Sequence, residues 1–565
     1  MAAGVVMMDA PASQPAPEAD DADTVDVLII GAGAAGAAVA WSLAETRMRI
    51  VCLEQGGWMR PEAYPSTRRD WEQLAVREFA TSPNVRRLPE DYPVNDADSP
   101  IAVLNFNGVG GSTVLYAAHF PRLHPSDFRT RTLDGVGDDW PLDYATLEPW
   151  FALNDRMMGV AGLAGDPAYP PHELPLPPVP MGSAGETMAR AFNRLGWHWW
   201  PSEIAIATRD YEGRAACANL GPCLTGCAKG AKASTDVTYW PAALRAGVEL
   251  RTHCRVREIE VGDDDRATGV VYFDEQGRER RQRAHVVILA CNGVGTARLL
   301  LNSTSARFPE GLANRSGLVG KNLMLHPWGM VRGVFDRGED GEDSGKSGRL
   351  QSHLGPNSVS IWSQQFYETD TSRGFVRGYN LQVTRSQGVV TTARYLHGHA
   401  ALPWGSEHHR ELRRHFGNMI GVGVCCEDLP EECNRVTLDP VLKDSHGIPA
   451  PKVTYRLGEN TQRMLAHGVE RAKEALAEAG ATHTRAEAPL RMTGWHLLGT
   501  ARMGRDPQRS VVNEWGRSHD VKNLFIVDGS VFVTGGGVNP TATIQAVALH
   551  VADTMKQRLA NLFDD

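Results

Sequence analysis

The chain has 565 residues, 42% of them hydrophobic and 22% charged, with 58 Lys and Arg against 67 Asp and Glu for a formal net charge of −9. That is the composition of a globular protein of several domains. The acidic balance argues against nucleic acid as a partner, no charge-free apolar run of about 18 residues offers a membrane span, and nine cysteines are too few for a disulfide scaffold.

In chain order, residues 1–24 are rich in Ala, Pro and Asp without apolar periodicity, and read as a disordered tail. No Lys or Arg precedes Arg47, so the segment lacks the basic region of a secretory signal and the twin arginines of an export signal. The expected compartment is the cytoplasm, with the periplasm as the alternative if the folded chain is exported with a partner. Val25–Ile30 is an apolar, β-branched run that predicts a strand, and Gly31-Ala-Gly33-Ala-Ala-Gly36 follows at once. Small and apolar residues from Ala34 to Ala44 predict a helix, and Met48–Glu54 a second buried strand. Strand, glycine turn, helix, strand is the opening of a doubly wound nucleotide-binding domain. Gly31 permits the tight turn, Gly33 lets backbone approach a pyrophosphate, and Gly36 lets helix and strand pack closely. Glu54, at the end of the second strand, is placed to accept hydrogen bonds from ribose hydroxyls, which disfavours a 2′-phosphate.

A second glycine cluster, Gly110-Gly111-Ser112-Thr113, could bring backbone N–H groups against an aromatic ring system. Residues 165–182 are proline-rich and read as an extended crossing or lid-type loop. Cys217, Cys223 and Cys227 crowd into one short loop. Val248–Val261 and Ala267–Tyr272 alternate like strands, and Val286–Ala290 is a buried strand leading into a third glycine cluster at Gly293 and Gly295. Arg337–Arg349, with little to bury, reads as a mobile surface loop. Leu457–Gly480 carries Met464, Leu465, Val469, Ala472 and Leu476 at helical spacing. Asn523–Asp528 predicts one more buried strand, followed by a glycine-rich turn and an apolar helix from Thr541 to Leu559. No internal repeat is found.

Four ordered blocks now stand together: the N-terminal fingerprint, the Gly110–Thr113 block, the strand leading to Gly293-Val-Gly295-Thr-Ala-Arg298, and a C-terminal stretch. The last runs through His496-Leu-Leu-Gly-Thr, Val527-Asp528-Gly529-Ser530 and Asn539-Pro540-Thr541. Over about 25–560 they resemble the glucose–methanol–choline (GMC) flavoprotein oxidoreductases. The resemblance implies an α/β fold: a Rossmann-like FAD-binding domain from discontinuous segments (25–160, 211–335 and 492–565). A substrate domain with a mostly antiparallel sheet and helices would occupy 336–491, with 161–210 as a crossing on the substrate side. It implies that Val256 meets the adenine, that Asp528 and Gly529 lie near the ribityl–phosphate chain, and that Ser112, Thr113, Asn539, Pro540 and Thr541 lie near the isoalloxazine. Some relatives attach flavin through a His just after the Ser-Thr pair; Val114, Leu115 and Tyr116 stand there, so the FAD is expected to be non-covalent.

Oxidising an alcohol with a flavin needs a base for the hydroxyl proton and a hydrogen bond that fixes the hydroxyl. His496 matches the family's catalytic histidine and Asn539 its second active-site position, giving a general base and a hydroxyl-orienting partner. Once protonated, the imidazole would also stabilise negative charge on reduced flavin. His326 and His550, beside apolar runs, read as structural. Substrate choice would rest with 336–491 and the segment around Trp197, Trp199 and Trp200, although tryptophans in a row also serve packing. Sugars, glycosides and polyols are favoured, aryl or lignin-derived alcohols come second, and a flavin-dependent lyase on the same fold is the remote alternative.

The three-cysteine spacing is similar to that of the catalytic subunits of bacterial FAD-dependent glucose dehydrogenases, where the cysteines hold a [3Fe–4S] cluster. Ala228 departs from that pattern, where those enzymes have Pro. A cluster, another metal or disulfide, and plain structural thiols all stay open; zinc is the weaker metal because no His sits at ligand spacing. Cys425, Cys426 and Cys433 read as core or incidental. The electron acceptor is oxygen, a quinone or a cytochrome subunit.

Overall fold

Val25–Ile30 shows no polar alternation because it lies inside a parallel sheet covered on both faces. The computed structural model describes residues 24–336, 349–385, 388–398 and 402–563; the tail up to residue 23 and the charged stretch 337–348 lie outside the described residues. The strand pairs in parallel with Ile50–Leu53 on one side and with Glu279–Leu289 on the other, in register from Val25↔Ala284 to Ile30↔Leu289. Glu249–Arg251 extends the sheet beyond Ile50–Leu53, and Leu524–Ile526 joins in parallel beside Val287–Leu289.

Glu279–Leu289 serves two sheets at once. Its first half, up to Arg283, pairs antiparallel with Ala267–Phe273, which pairs in turn with Arg255–Val261. Burial alternates through that half and becomes continuous over Val286–Leu289. The sequence Glu-Arg-Arg-Gln-Arg-Ala-His-Val-Val-Ile-Leu thus records the change from a sheet with one wet face to a sheet covered twice. The alternating stretch Val248–Val261 is two strands: the chain breaks at Thr252–Cys254, where His253 takes φ +54°, and Glu249–Arg251 and Arg255–Val261 part to opposite edges of the sheet. Helix Ala34–Leu43 packs on the C-terminal helix Thr541–Gln557, and its alanines let the two approach closely.

The second sheet is antiparallel, in the order His483–Glu487, Trp328–Val334, Met419–Cys426, Tyr379–Thr384, Val359–Ser363, Trp200–Pro201. Val331, Ile420, Val422, Leu381 and Val383 point to helices Gly182–Leu195 and Glu459–Glu478, whose Met464, Leu465, Val469, Ala472 and Leu476 complete that core. The alternate residues, among them Met330, Arg332, Met419, Gly421, Gln382 and Thr384, face a cavity between the two sheets. Two of these strands, Trp328–Val334 and Trp200–Pro201, come from outside 336–491. Helix Gly182–Leu195 is an element the sequence reading did not place, although Ala184, Met188 and Phe192 recur at helical spacing.

Of the two readings of the tryptophans, near substrate or in packing, the structure shows packing. Trp197 stacks on Phe192 and sets its edge to Phe366, and the Trp199 and Trp200 indoles donate to Asn193 and to the Leu163 carbonyl. None of the three lines the cavity. No helix among the described residues is long and apolar enough to cross a membrane.

Candidate active site

The cavity, about 690 Å³, opens where the parallel strands end: Ile30, Leu53, Glu54, Ala290 and Asp528 all line it, as expected for a ligand crevice in a doubly wound sheet. Gly31 takes φ +99°, and a Cβ there would meet the Ala290 carbonyl oxygen at 2.6 Å. A Cβ on Gly36 would lie 2.0 Å from the Gly31 oxygen, and one on Gly111 2.7 Å from the Gly33 Cα. The two glycine loops therefore touch, and Gly110 N–H donates to the Ala32 carbonyl (3.0 Å) behind them. Helix Ala34–Leu43 starts without a side-chain cap, so its first N–H groups open onto the cavity. Glu54 accepts from the N–H groups of Ala32 (2.8 Å) and Gly56 (2.9 Å); burial still raises its pKa above the usual carboxylate range. Asp528 accepts from the Thr296 hydroxyl (2.5 Å) and Ser530 N–H (2.8 Å), and burial raises it likewise. Val256, Cys254 and Leu299 line the cavity on the side of the antiparallel strands. An uncapped helix start, a carboxylate at the strand end and an apolar slot are the donor set a dinucleotide needs, so the residues present fit FAD.

The other end is made of side chains. His496 Nδ1 lies 2.8 Å from His326 Nδ1, and His496 Nε2 lies 3.4 Å from Asn539 Nδ2. Gln382 Nε2 donates to Asn539 Oδ1 (2.8 Å), so the Asn539 amide turns its NH₂ toward His496. Ser112, Thr113, Pro540 and Thr541 line the same cavity. The loop leading to Asn539 is held from the substrate sheet. Asn380 donates to the Gly537 carbonyl (2.7 Å), Gly537 N–H donates to the Tyr367 hydroxyl (2.9 Å), and that hydroxyl donates to Asp127 (2.7 Å). Asp127 pairs in turn with the buried Arg377, which also binds Glu427 (2.8 Å) and Asp134 (3.1 Å). Burial lowers His496 well below the ordinary imidazole value, with His326 and His119 adding to it, and pushes His326 down to about 4.

Three residues join this end that sequence reasoning left out. His326, read as structural, meets the catalytic candidate ring to ring and holds φ +48°, a conformation rare outside glycine and frequent at functional sites. Cys425, read as core, places its sulfur within 4.8 Å of ring nitrogens of both His326 and His496. The pattern Met-Ile-Gly-Val-Gly-Val-Cys-Cys carried the signal: period two puts Cys425 on the face of Gly421 and Gly423. His119, at the end of the loop that carries Ser112 and Thr113, also lines the cavity. His550 does not; its ring lies against Trp150.

Cys217, Cys223 and Cys227 sit behind the flavin-side loop. Lys232 is buried and donates to the carbonyls of Val114 (2.7 Å), Tyr116 (3.0 Å) and Cys223 (2.7 Å), fastening the two loops together. Burial pushes Cys223 up to about 12, with Lys232 opposing and Cys217 and Cys227 adding to the rise. No two of the nine cysteines are bonded to each other in the structure.

Comparison with known proteins agrees with this geometry. The family model described as GMC oxidoreductase matches in an N-terminal part over 25–328 and in a C-terminal part over 430–548. The chain is 42% identical to 2-methyl-1,2-propanediol dehydrogenase of Mycolicibacterium austroafricanum, covering 96% of this chain and 97% of that one. It is 29% identical to the fructose dehydrogenase large subunit of Gluconobacter japonicus, covering 94% and 98%. Among solved structures, pyridoxine 4-oxidase from Mesorbium loti superposes with a TM-score of 0.62 at 17% identity, covering 94% of this chain and 99% of that one, a likeness of fold.

Proposed function

The chain belongs to the GMC oxidoreductase family, and within it we propose that it oxidises a small polyol or sugar-type alcohol to the carbonyl, with His496 as general base and Asn539 as the group that orients the hydroxyl. The observation that carries this reading is the pair His496 Nε2 and Asn539 Nδ2, 3.4 Å apart at the wall of the cavity. Similarity to enzymes named for 2-methyl-1,2-propanediol and fructose supports the substrate class.

FAD, when bound, supplies the hydride acceptor for the carbinol carbon. Gly31, Gly33, Gly36, Gly110 and Gly111 keep the backbone clear for its diphosphate, and Glu54 would take the ribose hydroxyls. Val256 would face the adenine, and Asp528 and Gly529 the ribityl–phosphate chain. Ser112, Thr113, Pro540 and Thr541 would border the ring. Tyr116, whose hydroxyl donates to the Ala233 carbonyl (2.6 Å), supports a non-covalent flavin, since no histidine occupies 114–116.

The proton's path follows from the tautomers. We assign the His326 proton to Nε2, which faces the Gly535 backbone, and this leaves Nδ1 to accept from His496 Nδ1–H. The lone pair of His496 is then on Nε2, facing the cavity. A substrate hydroxyl donates to that nitrogen and accepts from Asn539 Nδ2–H, and His496 takes its proton as the hydride leaves. Because burial keeps His496 neutral, the base is in its working form at neutral pH.

Cys217, Cys223 and Cys227 are kept as a site for a [3Fe–4S] cluster that would pass single electrons to a partner such as a cytochrome subunit. Support comes from the three cysteines sharing one short loop and from similarity to a protein named as a large subunit. Oxygen or a quinone is the acceptor otherwise. Anaerobic titration tests the main reading: diols or sugars should bleach the flavin stoichiometrically. A flavin that stays oxidised with every alcohol overturns it in favour of a lyase. An iron assay of the same sample, with about three irons per flavin expected, tests the cluster.

A further inference from the structure

We propose that His119 binds a second hydroxyl adjacent to the one being oxidised, so that the site is built for vicinal diols. This rests on the alcohol-oxidising reading above and narrows its substrate.

His119 is 2% exposed, yet neither ring nitrogen has a partner in good hydrogen-bonding geometry, the amides of Gln382 and Asn539 interacting with the ring only loosely. Buried imidazoles without partners are rare, and each unsatisfied nitrogen is costly. Its ring lines the cavity. The backbone around it is pinned by Phe120 N–H to the Glu203 carbonyl (2.9 Å) and Ala205 N–H to the Ala118 carbonyl (2.8 Å). The edge of the ring is set against the buried Trp362, centroids 5.1 Å apart at 82°. The missing partner therefore comes from whatever fills the cavity.

Gln382 and Asn539 are the polar groups beside His119. Both are engaged with each other at 2.8 Å, and Asn539 turns its free N–H to His496. The order across the cavity wall is His119, then Gln382 with Asn539, then His496. Burial pushes His119 down to about 3, so it is neutral at physiological pH. A neutral imidazole offers one donor and one acceptor nitrogen, which is the complement of a hydroxyl. With the reacting hydroxyl held between His496 and Asn539, the neighbouring hydroxyl of a diol is the substrate group that reaches His119, because gauche vicinal oxygens lie about a hydrogen-bond length apart. The carbon skeleton would rest on Met330 and Met419, which carry no hydrogen-bonding group for a hydroxyl.

A site that expects a hydroxyl discriminates strongly against the analogue lacking it. The experiment uses full-length flavin-loaded protein and compares propane-1,2-diol with its near-isostere 2-methylpropan-1-ol, in which a methyl replaces the second hydroxyl, under anaerobic stopped flow. In the wild type, kcat/KM for the diol should exceed that for 2-methylpropan-1-ol by about 10²-fold or more. His119→Leu should lower the diol value at least tenfold more than the mono-ol value, and His119→Gln, which keeps a donor and an acceptor, should recover part of the selectivity. A wild type without diol preference overturns the proposal. So does equal loss for both alcohols, or a shift in flavin absorbance or potential in His119→Gln, which would assign His119 to the flavin or the base. If His119→Leu does not load flavin, the wild-type ratio and His119→Gln decide. Failure of both alcohols to reduce the wild-type flavin strikes the underlying alcohol-oxidising reading instead, and is recognisable as such.

Discussion

The two ends of the cavity are built on opposite principles. The cofactor end is backbone: Gly31, Gly33, Gly36 and Gly111 contribute by having no side chain, within two short stretches of sequence. The reacting end is side chain: His119, His326, Gln382, Cys425, His496 and Asn539 come from segments spread over most of the chain and meet only because two sheets face each other. A site made of absences asks of each glycine only that it leave room for the backbone it meets, as Gly31 does for Ala290 and Gly111 for Gly33. A site made of presences can draw from anywhere the registers agree.

That contrast can be broken at each end. The largest effect is expected at the cofactor end, from Gly36→Val. Its Cβ would lie 2.0 Å from a backbone oxygen that cannot yield, so the protein should purify without flavin absorbance and without turnover. At the reacting end, His496→Ala should keep the flavin and lose about 10³-fold in the rate of flavin reduction, read by anaerobic stopped flow. A smaller loss, about 10²-fold, is expected of His326→Phe, which removes the acceptor of His496 Nδ1–H and frees the wrong tautomer; His326→Asn, with an acceptor retained, should recover part of it. Gln382→Leu releases only the Asn539 amide and should cost about tenfold. The smallest effect concerns pH. Burial places His496 below its ordinary value near 6.5, so the base stays unprotonated as pH falls from 8 to 6.5. The kcat/KM profile should vary less than about twofold over that window and fall only at lower pH.

Legibility follows the same division. The parallel core strands, the fingerprint helix and the helix Glu459–Glu478 were readable because apolar runs and three-to-four spacing are local signals. His496 and Asn539 were named through the family's motifs, and the structure brings their side chains to 3.4 Å at the cavity wall. His326 was not, because an isolated histidine between apolar residues and a proline looks the same whether it fills a core or steers another imidazole. Cys425 and His119 were hidden for a related reason: their faces are fixed by pairing with Trp328 and with Ile204, partners distant in sequence. The one strand-like stretch Val248–Val261 became two because alternation reports exposure, not where the chain turns.

Strand Met419–Cys426 carries Gly421 and Gly423 on the cavity side. An added methyl at 421 would stand 2.5 Å from the Thr384 hydroxyl, and one at 423 would stand 2.9 Å from the Trp328 ring. The roominess of the cavity is thus set in steps of single carbons, on a central strand that also carries Cys425 and pairs with the strand of Gln382. For an engineer, and for natural drift, position 421 is a calibration screw. Gly421→Ala, with Thr384→Ser to make way, should bias turnover toward shorter chains while leaving the chemistry itself alone.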